Sequence, residues 1–141
     1  MNPYLTLKNK HQKEIDEFPL GFAFNDEQFA KMMAKWDLTP DDTDKIYSIG
    51  GGEYVRKSDS DALNKLLERH AQEREAAIKE NKDDYLYHMF NYELANHEYN
   101  YTGEVEPTLN ALGITTEMLA ENVPMYEALM RAIRHQRSLE W

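Results

Sequence analysis

The chain has 141 residues, a length suited to one core, and its 41% hydrophobic content is enough to fill one. It has no cysteine, which excludes disulfides and thiolate metal sites, and no apolar run near the roughly 20 residues of a membrane span. Sixteen Lys and Arg against 26 Asp and Glu give a net charge of −10, which repels nucleic-acid backbones and anionic lipid. The polar first 18 residues carry no secretory pattern, so the expected location is the cytoplasm.

Asn2 and Pro3 are placed as cap and first residue of a helix. Tyr4, Leu7, His11, Ile15 and Phe18 recur along it at helical spacing, and Pro19 stops it. Residues 20–24, LGFAF, suit a short extended segment. Asn25 then caps a second helix, with Gln28 reaching back as in a capping box and Phe24 and Phe29 placed for a hydrophobic staple. Met32, Met33 and Trp36 continue its apolar side, and Thr39-Pro40 begins a single turn.

KIYSI (45–49), Gly50-Gly51-Gly52 and EYVRK (53–57) predict a β-hairpin. The glycines do not make a phosphate loop, because a strand-like segment follows them where a P-loop requires a helix. Ser58 is placed to cap a long helix over 59–80, with Leu63, Leu66, Leu67, His70, Ala77 and Ile78 as its stripe. Asp61–Lys65, Arg69–Glu73 and Glu75–Lys79 are spaced as i,i+4 pairs on its wet side. His11 and His70, on apolar stripes, read as hydrogen-bonded core histidines.

A break at Asn81–Asp84 precedes a helix to about Asn100, with Gly103 as its punctuation. Pro107 opens a short helix ending at Gly113, Thr115 or Thr116 caps another, and Pro124 starts the last. Arg131, Arg134 and Arg137 sit where a last helical turn favours positive charge. The expected fold is α+β: a mainly helical single domain over 1–141, with five to seven helices and a small antiparallel β-hairpin or sheet in the first third.

Glu93 and His97 stand i,i+4 on one helical face, half of a metal site. No second histidine completes a HExxH motif, so a hydrogen-bonded structural pair is the plainer reading. No elbow or triad marks a nucleophile, and no cofactor is implied. The charge pattern is more telling. The 48 residues from Asp83 to Met130 hold nine acids and no Lys or Arg, where an even spread would place about five basic residues. Tyrosines interleave these acids, more than one helix can bury on one side. Glu98, Glu104 and Glu106, with Tyr99 or Tyr101 between them, therefore form a candidate partner-binding patch for a basic protein surface, such as that of a host nucleic-acid-binding protein. The plain alternative is a solvated acidic face over amphipathic core tyrosines.

The segments PLGFAFNDEQFAKMMAKW (19–36), DTDKIYSIGGG (42–52) and YELANHEYNYTG (92–103) resemble an uncharacterised protein family associated with phages and conjugative elements of gut Firmicutes. No established activity comes with that resemblance. It implies a small cytoplasmic accessory protein of a mobile element, a setting in which such proteins antagonise host defence or tune transfer. The leading expectation is thus a non-enzymatic protein-binding module, with an anti-defence inhibitor that mimics nucleic-acid charge as its specific form. A metal-dependent enzyme using Glu93 and His97 and a structural or assembly protein are the alternatives. The expected partners include no membrane and no nucleic acid bound directly.

Overall fold

The computed structural model describes residues 2–139. Eight α-helices occur among them: α1 (Pro3–Glu17), α2 (Asp26–Lys35), α3 (Ser60–Glu80), α4 (Tyr85–Asn96), α5 (Tyr99–Thr102), α6 (Glu106–Leu112), α7 (Thr116–Glu121) and α8 (Val123–Ser138). Three strands, β1 (Gly21–Phe22), β2 (Ile46–Gly50) and β3 (Glu53–Arg56), form one antiparallel sheet in the order β1-β3-β2. This is the mainly helical α+β class, with the sheet early in the chain. The chain forms two compact units, Lys10–Glu73 and the residues up to Asn9 with those from Arg74 onward.

The Lys10–Glu73 unit contains the sheet. β2 and β3 pair as the predicted hairpin, with Tyr47 opposite Val55 and a register shift between Ser48 and Gly50. Gly50, Gly51 and Gly52 take φ of +91°, +61° and +79°, a turn that residues with a Cβ would strain. β1, within LGFAF, supplies the third strand by pairing Gly21 with Tyr54. Under the sheet, Ala23, Met32, Met33 and Ile46 form a small core with Phe29, Trp36, Leu38 and Tyr54 around it.

Two cap expectations change here. Asn25 does accept from the Gln28 N–H at 2.8 Å, but the Gln28 side chain accepts from the Phe24 N–H rather than from the cap's own. The expected Phe24–Phe29 staple gives way to other partners. Phe24 is 70% exposed and meets Phe22 edge-on at 4.6 Å, while Phe29 packs against Tyr54. Ser58 is not the cap of α3, because a 3₁₀ turn over Lys57–Asp59 intervenes and Asp59 accepts from the Arg56 guanidinium. At 21 residues α3 is the longest helix among those described. Of its three expected i,i+4 pairs, Arg69–Glu73 is formed.

In the other unit, Asn2 accepts from the Tyr4 and Leu5 N–H groups, as a cap should. Phe90, Leu86, Met89 and Leu94 of α4 are buried with Ala128, Leu129, Ala132 and Ile133 of α8, and Tyr4, Leu109, Ile114 and Leu119 join the same core. The break before α4 is made by Asn81, Asp83 and Asp84, all at positive φ, and Asn81 accepts from the Leu86 N–H. α6 stops at Gly113 with φ +69°, Thr115 caps α7, and Asn122 caps α8.

The helix expected to run to Asn100 instead stops at Asn96. Glu98 turns left-handed at φ +60°, and α5 restarts at Tyr99. That turn puts the Tyr99 ring into the core, where it is 4% exposed and its hydroxyl accepts from Arg137 Nε at 3.1 Å. Burial of a large aromatic outweighs the few hydrogen bonds lost by interrupting a helix.

Candidate functional site

The acidic segment lies on α5 and the turns at either end of it. Glu98 precedes the helix, Gly103 ends it with φ +69°, and Glu104 and Glu106 follow within three residues. Glu98, Glu104 and Glu106 are exposed, and Tyr101, projecting between them in sequence, is 84% exposed. Tyr99 and Tyr101 are separated by one helical residue and so point to different sides. Tyr99 is interior and is not an accessible contact, so the tyrosine of this surface is Tyr101 alone.

The remaining acids of the Asp83–Met130 stretch divide by role. Asp84 accepts a bidentate pair from Arg131 at 2.6 and 2.7 Å, and that guanidinium holds its carboxyl below the usual range. Arg131 is therefore a structural partner in the middle of α8 rather than a charge in its last turn, where His135 and Arg137 lie. Asp83, Glu117, Glu121 and Glu127 are exposed. Glu93 is 6% exposed, and its Oε2 accepts from the Tyr4 hydroxyl at 2.6 Å.

Glu93 and His97, the other sequence candidates, have separate surroundings. The second Glu93 oxygen accepts from Asn96 Nδ2 at 3.2 Å, and Thr108 donates to the Glu93 backbone carbonyl. His97 is the C-terminal cap of α4, half-buried, with its N–H donating to the Glu93 carbonyl oxygen. Those partners fit a carboxylate that ties α1 to α4, with α6 held to the backbone of the same residue. Among the described residues, the group of His and acidic side chains able to surround a cation lies elsewhere.

That group is His11 and Glu14 on α1 and His70 on α3, beside Arg69 and Glu73. Both helices bear the same spacing, His11-x-x-Glu14 and His70-x-x-Glu73, which sets each pair on one helical face. The His11 and His70 rings stack with centroids 3.9 Å apart and planes at 17°. His11 Nε2 meets Glu73 Oε1 at 2.9 Å, and Lys10 and Arg69 also reach Glu73. These donors, His11 first, bring the Glu73 carboxyl down to about 2. Arg69 grips Glu14 Oε2 and holds that carboxyl low as well. His70, 3% exposed, is pushed below the usual imidazole value by burial and by its neighbour His11. His70 Nε2 faces the buried Glu14 Oε1 at 3.4 Å, a long His–carboxylate contact, and among the described residues neither atom has a well-aligned hydrogen bond. The doubled HxxE spacing was the available signal for this cluster.

The fold and sites thus define a mainly helical α+β protein with a small antiparallel sheet, an exposed acidic segment and a buried His/Glu cluster. The chain belongs to a family of unknown function, DUF7659, whose pattern covers residues 3–135. Comparison with curated proteins and with solved structures finds no match.

Proposed function

We propose that the protein is a non-enzymatic binding module that docks a basic protein surface through Glu98, Tyr101, Glu104 and Glu106. The observation behind this reading is the exposure of Tyr101, 84%, among three exposed carboxylates in a stretch of 48 residues without a Lys or Arg. An exposed tyrosine supplies rigid contact area at small entropic cost. The carboxylates accelerate encounter with a cationic partner and set its register. An inhibitor of a nucleic-acid-binding host protein, its carboxylates standing in for phosphates, is the specific form we favour. It suits a cytoplasmic accessory protein of a phage or conjugative element.

The direct test is affinity capture with the wild-type protein and with a Glu98→Lys, Glu104→Lys, Glu106→Lys variant, each at low and high salt. A basic partner retained by the wild type at low salt should be lost from the triple variant and weakened by salt, since screening shortens to about 8 Å near physiological ionic strength. Equal recovery by both proteins would remove this surface from consideration.

A further inference from the structure

We propose that His11, Glu14 and His70 form a binding site for a divalent transition-metal cation of the zinc class. The ligand atoms these three residues offer all lie within 4.8 Å of one another. Two of them are already at coordination spacing. Ligands about 2.0–2.2 Å from a tetrahedral Zn²⁺ stand about 3.3–3.6 Å apart, and His70 Nε2 and Glu14 Oε1 are separated by 3.4 Å. Both atoms are buried, and among the described residues this long contact is the one polar interaction either makes. A buried pair held by so long a contact is only weakly satisfied, and a cation between the two atoms would coordinate both.

The surroundings orient these ligands. Arg69 holds Glu14 Oε2, so the other oxygen, Oε1, is the one directed at His70. A ligating carboxylate fixed by an outer partner in this way is common around metals. Arg69 and Lys10 bring positive charge close to the site, but Glu14 and Glu73 offset it. Imidazole and carboxylate ligands with no thiolate suit Zn²⁺, Co²⁺ or Ni²⁺.

His11 is the third ligand, and it has to move. Imidazole lone pairs lie in the ring plane, so two rings stacked at 17° cannot both direct a nitrogen at one ion. The terminal torsion of histidine is soft, and turning His11 costs its contact with Glu73 Oε1, while Glu73 keeps Arg69 and Lys10. Metal binding is thus coupled to unstacking of the two rings. The site has three protein ligands and a fourth position for water or Glu73.

The experiment is a titration of the full chain, stripped with chelator, with Zn²⁺ by calorimetry and with Co²⁺ by visible absorption and proton NMR. The expected result is one ion per chain and paramagnetic shifts on the ring protons of His11 and His70. Affinity should fall at least about tenfold in Glu14→Gln and His70→Gln, and be unchanged in His88→Gln and His135→Gln. Glu14 is partly exposed, so its isosteric change keeps the test open if His70→Gln does not fold. Failure of the wild type to take up a stoichiometric ion would overturn the proposal. So would paramagnetic shifts confined to His88, His97 or His135, or undiminished affinity in Glu14→Gln.

Discussion

The Tyr4 hydroxyl donates to Glu93 Oε2 at 2.6 Å, joining the first turn of α1 to the middle of α4 through a buried phenol and a buried carboxylate. Burial, and then Glu93, raise the Tyr4 pKa well above the ordinary value near 10. Removing this hydroxyl leaves a buried carboxylate oxygen without its donor. Tyr4→Phe should therefore cost about 1.5–3 kcal/mol, read from urea midpoints at neutral pH. The pH dependence has a definite sign. Folded Tyr4 keeps its proton where unfolded Tyr4 releases it, so the contribution is complete below about pH 10 and is lost as pH rises beyond that. Tyr4→Phe should show a shallower alkaline decline than wild type, with Tyr85, also raised by burial, maintaining part of the slope. Identical alkaline slopes would show that the Tyr4 proton is not linked to folding.

Gly21 carries a different constraint. A Cβ placed there would come within 2.4 Å of Met32 Sδ and 2.5 Å of the Trp36 ring. Gly21 pairs with Tyr54 at the edge of the sheet, and Met32 belongs to the small core beneath it. Gly21→Ala should cost about 1–3 kcal/mol through overpacking, and Met32→Ala in the same chain should recover part of that loss. Thermal melts of the two single variants and the double variant measure the coupling. Strict additivity would mean that the strand shifts away rather than pressing on Met32.

Local chemistry made most element ends readable. Asn2-Pro3, the glycine triplet, Pro107 with Gly113, and Asn81–Asp84 each satisfy or break backbone hydrogen bonds with groups a few residues away. Expectations failed where another residue, near or distant, competes for the same atoms. Phe22 and Gly52 receive the Phe24 ring that was expected on Phe29, and the Asp59–Arg56 pair draws Ser58 into a 3₁₀ turn. The end of α4 at Asn96 was hidden for the same reason, since it depends on a core vacancy for Tyr99 and on Arg137, 38 residues away. For the sites, sequence spacing paired Glu93 with His97 but could not foresee Tyr4 as the carboxylate's donor. His11 and His70 were each legible as interior. Their stacking depends on how two separate helices meet, which periodicity within one helix does not encode.

The two tyrosines of α5 provide the sharpest separation of scaffold from surface. Tyr99 is 4% exposed and its hydroxyl accepts from Arg137, whereas Tyr101, two residues on, is 84% exposed. Tyr99→Ala deletes a ring from a packed core and should destabilise the fold by about 3–5 kcal/mol, in line with other large aromatic truncations. Tyr99→Phe keeps the ring and loses one hydrogen bond, at a cost of about 0.5–1.5 kcal/mol. Tyr101→Ala removes almost no buried contact and should stay within about 0.5 kcal/mol of wild type. Toward a basic protein partner the order should reverse. Tyr101→Ala is expected to speed dissociation, because an aromatic anchor acts mainly on the lifetime of a complex. Tyr99→Phe should leave dissociation unchanged. Reversal of Glu98, Glu104 and Glu106 should instead slow association, with little effect on melting because exposed charges contribute little to stability. Denaturation midpoints alongside surface-plasmon kinetics resolve all four effects. A large stability loss in Tyr101→Ala would place that ring in the scaffold and leave the three carboxylates without an aromatic contact.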